Sequence, residues 1–190
     1  MDIFDAIKTR RSIGKVKEDP VPKELIEKIL ETGTFAPNHH RTNPWRFYVL
    51  TGQGRERLGD VLAEVGMSQL SQDELVNNQA KIDRLKKNPL RAPVIIAVGV
   101  EPSDKTNVII QEEFAAVHSC VQNMLLAAHS LGLGAVWRTG AQCYHPMVRD
   151  FFKLSDKGEI VAFIYIGYPD KEPPTANKTH YSQFTTWIEK

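Results

Sequence analysis

The chain has 190 residues, which is enough for one domain with its own core, and we expect a single domain over residues 1–190. Its 24 basic and 23 acidic residues leave a formal net charge of +1, so no global field would draw it to nucleic acid or to a membrane surface. Two cysteines are too few for a disulfide framework, and the N-terminus has no apolar signal segment, which predicts a cytoplasmic protein.

The first predicted helix is capped by Asp2 and runs into a basic segment that contains Arg10, Arg11 and Ser12. Two interpretations of this segment are open. Basic side chains at a helix C-terminus complement the helix dipole. Alternatively, the guanidinium groups and the hydroxyl form a clamp for an oxyanion, because arginine can bind phosphate with two hydrogen bonds. A second helix is predicted from Pro22 to Gly33.

An irregular loop is predicted from Phe35 to Trp45, because this stretch contains two prolines and two asparagines. Its polar and aromatic composition is typical of loops that bind ligands. His39 and His40 are adjacent, but they have neither an H-E-x-x-H pattern nor a cysteine partner. We therefore predict no metal site.

Three apolar runs predict strands, at residues 46–51, 94–100 and 160–167, and the last two are continuous enough to be buried on both faces. The stretch from 68 to 88 is polar and has a capping box at Ser71 and Glu74. It predicts a solvated helix that either covers a site as a lid or only decorates the surface.

A long helix is predicted from Gln111, and Gly132 is suited to end it in a left-handed turn. No charged residue occurs from Phe114 to Trp137, so the helix is either a core helix or partly buried in a subunit interface. Its scattered polar side chains argue against a membrane span. The following short strand, residues 135–137, delivers Arg138 and Thr139 at its end.

The C-terminal tail is predicted to be extended from 168 to 179, where proline, lysine and aspartate are frequent. Aromatic residues return between Tyr181 and Ile188. An open tail of this kind must dock on another surface to be ordered.

Four segments together resemble the nitroreductase family of FMN-dependent oxidoreductases, in its short single-domain branch. They are Arg10-Arg11-Ser12 after the first helix, Ala36-Pro37 with Asn43-Pro44-Trp45, LGLGAVWRTG after the long helix, and IYIGYP near the end. The likeness covers nearly the whole chain. It implies an α+β fold with a central, mainly antiparallel sheet flanked by helices. It also implies a homodimer with FMN at the subunit interface and a C-terminal tail that extends over the partner.

Matching motifs imply the ligand-binding residues. One subunit would bind FMN through Arg10, Arg11, Ser12, Trp137, Arg138 and Thr139, and the other through its Phe35 and His39. The segment that the family assigns to NAD(P) corresponds to Ala127, Ala128, His129, Ser130, Leu131 and Gly132. Two positions depart from the family pattern. Phe35 replaces an arginine of close relatives, and Gly14 replaces a lysine of larger members that faces the flavin, so Arg11 or Lys15 would have to supply that cation.

The resemblance implies an enzyme that takes hydride from NADH or NADPH and passes two electrons to a nitroaromatic, a quinone or a similar electron-poor acceptor by a ping-pong mechanism. The cofactor carries the chemistry in such enzymes, so no catalytic side chain is assigned. Two alternatives remain: other flavin chemistry on the same fold, such as dehalogenation or ene reduction, and a non-enzymatic flavin or nucleotide carrier.

Overall fold

Two apolar strands form the centre of the sheet. β2 (Val94–Val100) and β4 (Glu159–Gly167) pair antiparallel and are buried along nearly their whole length. β1 (Trp45–Leu50) pairs with β2, and β3 (Gly134–Arg138) pairs with β4, both antiparallel, which gives the order β1-β2-β4-β3. The structure is a computed structural model that describes residues 1–172, 175 and 178–189. It confirms the predicted α+β fold and the antiparallel sheet.

Helices cover both faces of this sheet. On one face, α2 (Lys23–Thr34) and α6 (Ile110–Ser130) pack around fully buried side chains such as Ile29 and Met124. On the other face, α3 (Gln53–Ser68) and α7 (Pro146–Phe151) pack around Leu58 and Val148. The remaining elements are α1 (Ile3–Thr9), α4 (Gln72–Asn77), α5 (Gln79–Lys87) and the 3₁₀ turns His39–Arg41, Asn88–Arg91 and Tyr181–Phe184.

Several local predictions are confirmed by the backbone. Asp2 caps α1, and Ser71 and Glu74 form the predicted capping box. Gly132 follows α6 with φ of +77°, the left-handed conformation that glycine adopts at lowest cost. None of the helices in the described part of the chain is both long and apolar enough to cross a membrane.

Other local predictions need correction. The polar stretch from 68 to 88 is two helices, α4 and α5, because the backbone leaves the helical conformation at Asn78. Pro22 is the residue before α2 and not its first residue. The predicted extended segment from 168 to 179 includes residues 173, 174, 176 and 177, which lie outside the described residues.

A large apolar surface is left uncovered by the chain's own packing. In α1, Ile3, Phe4 and Ile7 are each more than half exposed. The tail carries a second set of exposed apolar side chains, Tyr181, Phe184, Trp187 and Ile188. Groups of exposed apolar side chains are typical of surfaces that bind another macromolecule.

Candidate functional site

The segment of Arg10, Arg11 and Ser12 lies against the outer edge of β3. Ser12 forms a parallel bridge with Ala135, and the Ile13 amide donates a hydrogen bond of 2.9 Å to the Ala135 carbonyl. The fold therefore brings this segment next to the strand that ends in Arg138 and Thr139, as the sequence predicts for one subunit.

The two arginines of this segment differ in what they contact. Arg11 Nη1 donates to the carbonyls of Lys8 and Arg10, both at 2.7 Å, and so caps the end of α1. The helix-capping interpretation therefore holds for Arg11. The Arg10 side chain is half-buried and has no hydrogen-bond or ion-pair partner within the described residues. It is the cation of the pair that is free to bind an anion.

The C-terminal end of α6 lies beside these cations. The Thr9 hydroxyl and His129 Nε2 are 2.8 Å apart. Burial lowers the pKa of His129, and the positive charges of Arg10 and Arg11 lower it further. The pKa of His129 therefore depends on the charge at the end of α1.

Trp137 and Arg138 project from opposite faces of β3, as successive strand residues must. Trp137 packs on the side of α6, and its indole N–H donates to the Val161 carbonyl at 3.1 Å. Arg138 lies on the side of α3, where its Cζ is 5.3 Å from the centroid of the Tyr165 ring. Arg10, at the end of α1, and Arg138, at the end of β3, therefore reach the sheet edge from different elements, and their joint binding of one phosphate stays a prediction.

Arg138 and Thr139 line a cavity of about 310 Å³ between β3, β4 and the 3₁₀ turn after α5. Burial raises the pKa of Tyr165 to about 12. The positive charges of Arg138 and Arg91, which line the same cavity as the Tyr165 phenol, act in the opposite direction. Neither arginine has a carboxylate partner among the described residues. Sequence reasoning missed the other polar residues of the cavity, because they are scattered along the chain and no motif links them: Asn88, Arg91, Gln142 and Tyr165.

Gly14 adjoins the same arginine. A β-carbon added at Gly14 would lie 3.2 Å from Arg138 Nη2, so the glycine leaves room for that guanidinium. The two residues expected to replace the missing cation at position 14 are engaged elsewhere. Arg11 caps α1, and Lys15 forms an ion pair of 3.0 Å with Asp170. Arg138 is instead the cation adjacent to Gly14.

Phe35 and His39 lie toward the other end of α6. Phe35 is 77% exposed, and His39 Nδ1 lies 2.5 Å from a carboxylate oxygen of Glu112 in the first turn of α6. Glu112 and His129 are 17 residues apart on this helix. At a rise of about 1.5 Å per residue they are separated by about 26 Å along the helix. A single chain does not bring Arg10 and His39 into one site.

The segment expected to bind NAD(P) lies at the C-terminal end of α6. Ala128 is fully buried in the core, whereas Ser130 and Gly132 are exposed. Ala127, Ser130 and Leu131 line one side of a groove of about 510 Å³ whose other side is formed by α1 and α2. This part of the segment faces the groove, whereas Ala128 faces the core.

Neither a metal centre nor a reactive thiol is formed by the described residues. They contain no group of three or more histidine, cysteine or acidic side chains that could hold a metal ion. Cys120 and Cys143 are free and buried, and burial raises the pKa of each thiol to about 12. A thiol with such a pKa stays protonated at neutral pH and is a poor nucleophile.

Comparison with known proteins identifies the family. The model of the Nitroreductase family matches residues 7–168. YfhC of Bacillus subtilis, provisionally named an NAD(P)H nitroreductase, is 36% identical over 176 residues, which cover 92% of this chain and 88% of that protein. YdjA of Escherichia coli, with the same provisional name, is 33% identical over 99% of this chain and its own whole length.

Solved structures agree with the sequence comparison. A nitroreductase-like family protein from Bacillus cereus superimposes with a TM-score of 0.84 at 30% identity, covering 100% of this chain and 97% of that one. A provisionally named nitroreductase from Desulfovibrio desulfuricans, solved in complex with FMN, has a TM-score of 0.74 at 25% identity, with 100% and 98% coverage.

Proposed function

Because this chain belongs to the nitroreductase family, an oxidoreductase family with FMN as cofactor, we propose that it transfers two electrons from NADH or NADPH to an electron-poor acceptor such as a nitroaromatic or a quinone. Bound FMN supplies the redox chemistry, by accepting hydride from the donor and passing two electrons to the acceptor. The protein's own residues bind the cofactor, orient it and set the charge around it.

We assign the flavin phosphate to Arg10 and Ser12. Arg10 is the half-buried cation without a partner among the described residues, and it lies two residues before Ser12, whose backbone bridges to β3. A phosphate there gains charge-assisted hydrogen bonds, which are the strong kind. Arg11, fixed as the cap of α1, adds positive charge to this position.

The flavin ring is assigned to the cavity under Arg138 and Thr139. Arg138 and Arg91 place two positive charges in this cavity with no carboxylate partner among the described residues. Such charges favour a ring that becomes negative on reduction, as fixed cations stabilise a developing anion in a partly buried site. Arg138 would supply the positive charge that the glycine at position 14 cannot supply.

The second half of each site is assigned to a second copy of the chain. The observation that supports a homodimer most strongly is that Arg10 and His39 lie at opposite ends of α6. An antiparallel pairing of two α6 helices would bring the acidic end of one, with Glu112, to the basic end of the other, with Arg10. Phe35 and His39 of each subunit would then complete the flavin site of the other. The exposed apolar residues of the tail would cover the partner, and the free, buried cysteines fit a reducing cytoplasm.

Kinetics test the proposed reaction. If donor and acceptor occupy one pocket in turn, initial rates measured at several fixed acceptor concentrations give parallel double-reciprocal lines. Anaerobic NADPH should bleach the flavin without acceptor, and a pulse of acceptor should restore its colour. Intersecting lines would show a ternary complex. A yellow protein that no nicotinamide donor bleaches would favour a flavin carrier.

A further inference from the structure

The loop that carries His39 has a strained backbone. Three of its residues that are not glycine have positive φ: His40 at 59°, Arg41 at 51° and Asn43 at 51°. The left-handed conformation is unfavourable for an ordinary residue, although asparagine adopts it more readily. Within the loop, Asn38 Oδ1 accepts a hydrogen bond of 3.1 Å from the Asn43 amide, and further contacts to residues 39–42 come from outside the loop.

Glu113 of α6 makes one of these contacts. It is 1% exposed and is the buried charged side chain of the described core. One of its oxygens accepts a hydrogen bond of 2.5 Å from the Thr42 hydroxyl, and the other accepts one of 3.1 Å from the Ser103 amide. No lysine, arginine or histidine within the described residues forms an ion pair with it. The carboxylate is thus compensated by these two donors, one of which belongs to the strained loop.

Two further contacts fix the same loop to the start of α6 and to the segment before it. Glu112 pairs with His39 Nδ1 at 2.5 Å, and Asn107 lies 3.2 Å from His40 Nδ1. The helix dipole explains why acidic residues occur in the first turn of α6. It does not explain why Glu113 is withdrawn from water, since the dipole acts equally on the half-buried carboxylate of Glu112.

We infer that Glu113 is a positioning residue that holds the strained loop of residues 39–43 in the conformation that presents His39 to the flavin of the other subunit. The inference rests on the proposed function, which places His39 at that flavin. Because the contact crosses the dimer, Glu113 of one subunit governs cofactor binding in the other subunit's site.

Hydrogen exchange and flavin binding test the inference together. In Glu113→Gln, the Ser103 amide needs the remaining acceptor oxygen, so the side-chain NH2 group faces Thr42. The Thr42 hydroxyl must then accept a hydrogen bond from a neutral amide, which is weaker than the bond it donates to a carboxylate. In the FMN-loaded protein, we expect the peptide covering residues 38–45 to exchange roughly 10- to 100-fold faster, and FMN to bind correspondingly more weakly. Thr42→Val removes the same hydrogen bond from the loop side, so its effect should not add to that of Glu113→Gln.

Glu101→Gln is the matched control. Glu101 also accepts two hydrogen bonds, from the amide at 3.1 Å and from the hydroxyl of Ser155, but these hold the turn before β4. Glu101→Gln should leave both the exchange rate of residues 38–45 and the affinity for FMN unchanged. Equal effects of the two variants, or wild-type exchange in Glu113→Gln, would overturn the inference. Faster exchange with unchanged FMN affinity would instead remove His39 from the flavin site, and with it the part of the inference that concerns the cofactor.

A mixed dimer tests whether the effect crosses the interface. One subunit carries Glu113→Gln and the other carries Arg10→Ala. If the loop acts across the dimer, one site combines an intact Arg10 with an intact loop, and the dimer binds one FMN tightly. If the loop acts within its own subunit, both sites are damaged and no FMN binds tightly. The second result would overturn the inference even where the mixed species sediments as a dimer.

Discussion

The two ends of α6 differ in charge and in how they are built. At the N-terminal end, Glu112 and Glu113 hold a strained loop through short hydrogen bonds. At the C-terminal end, His129 lies against α1, and the charges of Arg10 and Arg11 lower its pKa after the larger effect of burial. One end is fixed by its own contacts, whereas the other leaves an arginine without a partner among the described residues. This difference is the basis for the proposal that the cofactor is bound between two copies of the helix.

The largest effect on dimer affinity is expected from a charge introduced at the middle of the exposed face of α6. Gln122 is exposed there, and in an antiparallel pair it lies near its counterpart on the other helix. Gln122→Arg would bring like charges together in a desolvated interface, which costs several kcal/mol. The dissociation constant of the dimer should rise by roughly 100-fold or more, as measured by sedimentation velocity over a concentration series. Gln53→Arg, at an exposed position of α3 on the opposite side of the sheet, should leave the dissociation constant of the dimer unchanged.

Removal of the tail comes next in size. Deletion from Tyr181 onward takes away four exposed apolar side chains, and burial of each against a partner would stabilise the dimer by up to about 1.5–3 kcal/mol. Dimer affinity and FMN retention should fall together, because both depend on one interface. Gel filtration with in-line flavin absorbance measures both. A truncated protein that remains a flavin-loaded dimer would contradict the proposed docking of the tail.

Substitutions at Arg10 and Arg138 should distinguish binding of the flavin phosphate from binding of the flavin ring. Arg10→Ala removes a charge-assisted partner worth roughly 1.5–3 kcal/mol, so FMN should bind about ten- to a hundredfold more weakly, whereas riboflavin, which has no phosphate, should be hardly affected. Arg138→Ala should weaken both ligands alike and lower the reduction potential of bound flavin. Fluorescence titration and a potential measurement with reference dyes give these quantities. Lys8→Ala, in the last turn of α1, is the surface-charge control.

The smallest effect concerns the pKa of His129. Burial and then Arg10 and Arg11 lower this pKa, so the protonated ring is disfavoured in the folded protein. The stability that depends on neutral His129 is present above the ordinary histidine pKa and is lost as the pH falls below it. A phosphate on Arg10 would offset the repulsion, so FMN should raise the pKa of His129 and riboflavin should not. Titration of the imidazole followed by NMR measures the pKa of His129 with each ligand. Arg10→Ala should raise this pKa in the absence of any ligand. Equal values with FMN and riboflavin would place the phosphate elsewhere.

Much of the fold could be predicted because the relevant signals are local. The continuous apolar runs of β2 and β4, the cap at Asp2 and the glycine after α6 each depend on a few neighbouring residues. The order of four motif-like segments along the chain then indicated the family, which the comparisons confirm. The ligand-binding residues assigned from that resemblance stay a prediction.

Tertiary structure decided what each cation can do. The sequence by itself placed Arg10, Arg11 and Arg138 near strand and helix ends, but it treated them as equivalent donors. In the folded chain Arg11 caps α1, and Arg10 has no partner among the described residues. Arg138 lines the cavity that also contains Arg91 and Tyr165. Folding also separated His39 from Arg10 by the length of α6. The physical reason is that hydrogen-bond partners and strand faces depend on residues distant in sequence, whereas helix, strand and cap propensities depend on near neighbours.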